Sequence, residues 1–288
     1  MGISSALGPA HEIALSTGRI RYHDTGTGSP VVFVHGLLVN ADIWRGVVPG
    51  LVAAGHRCLA PDWPLGSHAI PLPDADLSPT GIADLIAEFL DALDLTDVTV
   101  VANDTGGALT QILMTRRPER IGRVVLAAVD CYEMFPPQPF RSLLKVAKIP
   151  GVIRPLLAPM RFEFVQRLPL GFGMVTKRGL PQEIAQSYLG PTRRNAAIRD
   201  DLRRFAAGVD NRCTVAAAEH FGTVDVPVLV VWSTEDKLFP MALAERLVAD
   251  LPRASLRTID NSYTFVSEDR PELLTELIVE FTRLHAAP

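Results

Sequence analysis

Unbroken apolar runs alternate with stretches of helical spacing along most of this chain, and that alternation sets the expected fold. The first segments differ: His11 to Leu15 and Arg19 to His23 alternate like antiparallel strands around a Ser16-Thr17-Gly18 turn. Val31 to Val34 is then apolar without alternation, as a strand buried on both faces requires, and His35-Gly36 ends it. Ile43 to Ala53 reads as a helix, and Arg57 to Ala60 as the next strand, stopped at Pro61-Asp62. Ile82, Leu85, Ile86, Phe89, Leu90 and Leu93 have helical spacing, and Ser78-Pro79 before them supplies a cap and a first-turn proline. Val98 to Ala102 and Val124 to Val129 are buried strands; between them Asn103-Asp104-Thr105-Gly106-Gly107 turns the chain into a helix.

From Cys131 to about Phe221 the pattern changes. Prolines interrupt short helical stretches rich in Arg, Phe, Met and Leu, and no strand is evident. Val228 to Trp232 (strand), Met241 to Ala249 (helix), Leu256 to Ile259 (strand) and Pro271 to Leu284 (helix) then resume the alternation. Such alternation predicts an α/β fold with a mostly parallel sheet covered on both faces. Chemistry in such sheets sits at the carboxyl ends of the strands. Here those ends carry His35-Gly36, Asp104, Asp130 and Asp236. The expected organisation is a core of residues 1–130 and 222–288 with a helical cap, residues 131–221, inserted over those strand ends.

Composition narrows the function classes. The chain has 288 residues, 48% of them hydrophobic, and a net charge of -4, enough for a sizeable core and without the basic patch of a nucleic-acid binder. No apolar stretch is long enough to span a bilayer, and Met1 to Ala10 lacks the basic head and apolar run of a signal peptide. Cys58, Cys131 and Cys213 lie far apart without metal-like spacing, which suits reduced thiols in a cytoplasmic protein. The expected partner is a small-molecule substrate, with no nucleic acid, no membrane, no metal and no organic cofactor, and the chain is a monomer or homodimer.

The motif that carries chemistry is Ala102-Asn103-Asp104-Thr105-Gly106-Gly107, small residues around a central side chain between a buried strand and a helix. So sharp a turn pushes its central side chain into a pocket. The plainer reading is an aspartate that caps the helix, but capping gives the double glycine no role. With the upstream His-Gly and the order of elements, the chain resembles the α/β-hydrolase superfamily over nearly its whole length. The resemblance implies a mostly parallel eight-stranded sheet with a cap after strand six. An aspartate at the elbow resembles the branch of haloalkane dehalogenases, fluoroacetate dehalogenases and epoxide hydrolases. There the carboxylate attacks carbon to form an ester, and a histidine-activated water hydrolyses it. The resemblance places the oxyanion-hole amides at Leu37 and Thr105, and the triad acid at Asp236 or Asp130.

One part of that pattern is absent. The family's histidine belongs on the loop before the terminal helix; aligned on Phe265 and Pro271, Thr264 takes its place, and His285 comes too late to fold back. Thr105 also replaces the halide-binding tryptophan of one dehalogenase group, and Leu38 the proline of the epoxide-hydrolase His-Gly-x-Pro. Three readings follow. Asp104 is the acid–base or electrostatic group of a non-hydrolytic reaction of specialised metabolism, such as epoxide opening, cyclisation or carbon–carbon bond formation. Alternatively the chain is an epoxide or ester hydrolase with a relocated base, His68 being the best placed. In the third, it binds a ligand on an inactive fold. His35 shapes the oxyanion loop, and Trp63 either walls the pocket or packs in the core. Tyr188 and Tyr132 are candidate proton donors from the cap, with packing as the alternative for Tyr188. The cap's aromatic and aliphatic residues point to a bulky, mainly apolar substrate.

Overall fold

The computed structural model describes residues 5–286; residues 1–4, part of the stretch judged to lack a leader, lie outside it. Eight strands form one sheet in the order β1-β2-β4-β3-β5-β6-β7-β8. They are β1 (Ala10–Leu15), β2 (Gly18–Thr25), β3 (Ser29–Val34), β4 (His56–Pro61), β5 (Val98–Asp104), β6 (Ile121–Val129), β7 (Val228–Ser233) and β8 (Ala254–Ile259). β1 pairs antiparallel with β2, and β2 antiparallel with β4; every later pair is parallel. The apolar runs explain the order: every residue of β5 and β7 is buried, as central parallel strands demand.

Helices cover the sheet. In the first part of the chain these are α1 (Val48–Ala53), α2 (Pro79–Ala92) and α3 (Thr105–Arg116). The Ser78 side chain accepts the Gly81 amide at the start of α2, the predicted cap. The single helix expected over 43–53 is instead a 3-10 turn, Ala41–Trp44, followed by α1. Gly46 lies against Pro271, where a Cβ would sit 2.8 Å from the ring, and Pro49 opens the new helix. The chain therefore bends at 45–47 to pack beneath the terminal helix.

Between β6 and β7 the described residues form helices and turns without a strand. The α-helices there are α4 (Phe140–Ala147), α5 (Ile153–Leu157), α6 (Glu163–Gln166), α7 (Gln182–Arg194), α8 (Ala196–Gly208) and α9 (Arg212–Ala218). After β7 follow α10 (Met241–Asp250), α11 (Val266–Asp269) and α12 (Pro271–Leu284). Among the described residues no helix is long and apolar enough to cross a membrane. All three cysteines are free thiols.

Candidate active site

The strand β5 passes into α3 without a spacer, so Asp104 alone makes the turn. Its backbone takes φ 54° and ψ -131°, outside the basins open to an unstrained aspartate. Strain of this kind costs about 1–3 kcal/mol and persists only where the surroundings enforce it. Here they do. A Cβ on Gly36 would overlap the Asp104 carboxylate, and one on Gly107 would overlap Val129 of β6. Strand, helix and His-Gly loop can thus close on the aspartate only with glycines at those places. The plainer capping role fails, because the Asp104 side chain makes no capping hydrogen bond to α3.

The carboxylate opens into a cavity of about 330 Å³. Its walls are apolar and come largely from the segment between β6 and β7: Phe140, Leu143, Leu156, Met160, Val165 and Phe172 among others. Phe265, Leu37 and Leu38 close it from the core side. Asp104, Thr105 and Asp130 are the polar side chains on its surface. The Leu37 amide donates to Asp104 Oδ2 at 3.1 Å. One of the two amides expected to form an oxyanion hole is therefore engaged with the aspartate itself.

Burial pushes the Asp104 carboxyl up to about 6, against the opposing pull of the Thr105 and Leu37 amides and the Thr105 hydroxyl. Asp130, at the end of β6, accepts the Thr105 hydroxyl at 2.9 Å. Burial, and then the neighbouring Asp104 charge, hold the Asp130 carboxyl well above the usual range. Its second oxygen, Oδ1, is buried without a hydrogen-bond partner. Two carboxyl groups linked through one threonine hydroxyl thus form the floor of an apolar chamber. Burial holds both carboxyl groups above the usual carboxylate range, and the charge of Asp104 adds to the rise at Asp130.

Asp236, after β7, stands behind this floor. It accepts the Leu238 and Phe239 amides at 2.8 and 2.9 Å and the Thr264 hydroxyl at 3.1 Å. Burial raises it to about 6 as well. Thr264 is fully buried, and the Asn103 side chain donates to its carbonyl at 2.7 Å. The loop after β8 is therefore pinned against the elbow, with a threonine hydroxyl facing the acid. Thr264 itself does not line the cavity.

None of the seven histidines lines the chamber. The best-placed candidate base, His68, is not brought to Asp104. Its Nε2 meets Asp201 Oδ2 of α8 at 2.9 Å, and both side chains are buried. His35 takes the Trp63 amide on Nε2 at 2.8 Å, so Nδ1 carries the proton and donates to the Gly36 carbonyl. Burial lowers it to about 4, and the neutral ring locks the loop without reaching the cavity. His23 and His56 are held at Gly8 and between Ser29 and Thr282. His11 and His285 pack on Tyr22 and Phe281, and His220 is exposed.

Three of the expected substrate contacts also lie elsewhere. The Trp63 indole donates to the Phe33 carbonyl and packs on Phe89 in the core. The Tyr132 hydroxyl donates to Asp250 at 2.8 Å beneath Arg246. The Tyr188 hydroxyl donates to Glu268 at 2.5 Å, a carboxylate that Arg45 also clasps with two bonds of 2.6 Å. All three aromatics satisfy their polar atoms away from the cavity, which is why none faces it. The cap's apolar residues were expected to supply the walls, and Phe140, Met160, Leu168 and Phe172 do so; which of its leucines join them was not legible, because a leucine facing a cavity has the same spacing as one facing the core. Among the described residues, no group of three or more His, Cys, Asp or Glu is arranged to hold a metal ion.

Known proteins share this architecture. Haloalkane dehalogenase 2 of Mycobacterium bovis is 28% identical over 279 residues, covering 92% of each chain. A 2-hydroxy-6-oxononadienedioate/2-hydroxy-6-oxononatrienedioate hydrolase of Cupriavidus pinatubonensis is 25% identical over 275 residues, 91% of this chain and 90% of that one. The crystal structure of a haloalkane dehalogenase from Agrobacterium tumefaciens C58 superposes with a TM-score of 0.80 at 21% identity, covering 98% of this chain and all of the other. The family model described as the alpha/beta hydrolase fold matches residues 29–271, and the chain belongs to that family.

Proposed function

We propose that this α/β-hydrolase-fold enzyme acts on a bulky, mainly apolar small molecule by proton transfer, with Asp104 as base and Asp130 as acid. The observation that carries this reading is the chamber floor: two neighbouring carboxyl groups, both raised by burial, and no imidazole. A carboxylate near 6 is well matched to accept a proton at neutral pH. Its neighbour, raised by burial in the same apolar surrounding, would donate one as the acid.

A substrate carrying a hydroxyl and an epoxide illustrates the step. Asp104 takes the hydroxyl proton, and the freed oxygen attacks an epoxide carbon of the same molecule. The carbon–oxygen bond to the ring oxygen breaks, and Asp130 delivers its proton to that oxygen. The product is an isomer of the substrate, and no water is consumed. The proton on Asp104 returns to Asp130 through the Thr105 hydroxyl, which serves both carboxyl groups. An attack by Asp104 on carbon would instead leave an ester that a threonine at 264 has no means of clearing, since its hydroxyl does not ionise near neutrality.

The hydrolase name of one relative favours a second reading, a hydrolytic reaction such as that of an epoxide or ester. With His68 bonded to Asp201, the base for water would then be Asp130 or Asp236. Asp104→Asn and Asp104→Ala, assayed against epoxides, esters and quinone-like substrates, test the reading. It predicts a loss of about a hundredfold or more in kcat, the usual worth of a general acid or base. Full activity in either variant removes Asp104 from the mechanism.

A further inference from the structure

We propose that the outer face of residues 146–170 is a docking surface for an anionic lipid bilayer, from which the apolar substrate enters the chamber. Seven large hydrophobic side chains are exposed among the described residues, and six of them fall in this segment. They are Val146, Ile149, Phe162, Phe164, Leu168 and Leu170, with Phe164 68% and Leu170 57% exposed. A concentration of this kind marks an interaction surface, not scattered surface leucines. Phe162 and Phe164 stack on one another at 5.9 Å, which presents them as one aromatic wedge.

Charge identifies the occupant. Between Phe140 and Leu170 the sequence has Arg141, Lys145, Lys148, Arg154, Arg161 and Arg167 against the single acid Glu163, whereas the whole chain has a net charge of -4. Among the described residues Arg167 pairs with Glu163 at 2.7 Å, Lys148 acts electrostatically on Asp210 and Arg141 donates to the Pro136 and Glu133 carbonyls, while Lys145, Arg154 and Arg161 have no carboxylate at ion-pair distance. The Arg161 guanidinium lies over the Phe162 ring at 4.5 Å, joining cation and wedge. Exposed aromatics and aliphatics in a segment with an excess of cations are the composition of a surface that sinks its apolar groups to the headgroup boundary and holds lipid phosphates with the cations. No helix needs to cross the membrane for this, and among the described residues none is long and apolar enough to do so. The face also leads inward, since Leu168 and Leu170 line the cavity as well as being exposed. A hydrophobic molecule dissolved in the bilayer thereby meets a continuous apolar path. Vesicle binding would set aside the expectation of a protein without membrane contact.

The inference rests on the apolar-substrate reading only for the purpose of docking; its test reads binding and is independent of the chemistry. The full chain is sedimented with vesicles of phosphatidylcholine alone and of equimolar phosphatidylcholine and phosphatidylglycerol. Partition onto the anionic vesicles, weakened by added salt, is expected, with little onto the neutral ones. Phe164→Ser should reduce that partition about tenfold. Arg154→Ala and Arg161→Ala should each reduce it about fivefold. All three sites are exposed, and an unchanged thermal midpoint confirms that the variants fold. Equal partition onto both vesicle types, or partition unaffected by the three variants, overturns the proposal. So does a dimer in solution that Phe164→Ser dissociates, which would assign the face to a second copy of the chain.

Discussion

Asp104 and Asp130 carry the chemical reading, and their environment makes it measurable. Burial holds the Asp104 carboxyl at about 6 in the folded protein, above its ordinary 3.8. The folded state therefore binds that proton more tightly than the unfolded chain does. The resulting stability is present below about 4 and is lost as pH rises through about 6. Asp104→Asn should then be more stable than the parent at pH 7.5, by up to about 3 kcal/mol for a shift of this size. The difference should shrink towards pH 4, and urea unfolding of both proteins across that range checks it. Activity runs in the opposite direction. Because the base must be ionised, kcat should climb as pH rises through about 6. Asp104 was legible in the sequence because the small residues around it have no other use. The raised carboxyl of Asp130 beside it was not, since it depends on burial and on the neighbouring charge.

At the scale of elements, the strands and most helices were written in the periodicity. Buried central strands and the Ser78-Pro79 helix start need only local chemistry. The break at 45–47 was not legible, because it is imposed by Pro271, which is distant in sequence. His68 shows the same limit. A polar loop residue after β4 could face the pocket or a partner, and that partner, Asp201, comes from α8. The pair ties the loop to the helical segment. His68→Ala removes one member and leaves Asp201 with Arg204 and the Leu72 amide. It should cost about 2–3 kcal/mol of stability. The rate at low temperature should be unchanged. A hundredfold fall in kcat with the fold intact would return His68 to the mechanism.

Across the whole molecule, the helical segment and the sheet core are joined by buried polar ties as well as apolar packing. Arg45 on the core side, Glu268 in α11 and Tyr188 in α7 form one such tie, and the Asn40 side chain donates to the Ser187 hydroxyl beside it. Arg45→Ala leaves the Glu268 carboxylate buried with the tyrosine hydroxyl as its remaining partner in the triad. A loss of about 3 kcal/mol is expected, with faster hydrogen exchange in α7 than in the sheet. Uniform exchange across both parts would mean that the tie does not couple them. In the proposed reading the chamber's chemistry depends on this closure and on what its floor lacks. The most direct measurement is isotope incorporation in water enriched in oxygen-18, with aryl epoxides and aryl esters as probes and Thr264→His as comparison. The parent should release no labelled product, while Thr264→His, with an imidazole facing Asp236, should release labelled diol or acid. Labelled product over many turnovers from the parent, abolished by Asp104→Asn, would contradict proton transfer without water and make the chain a hydrolase.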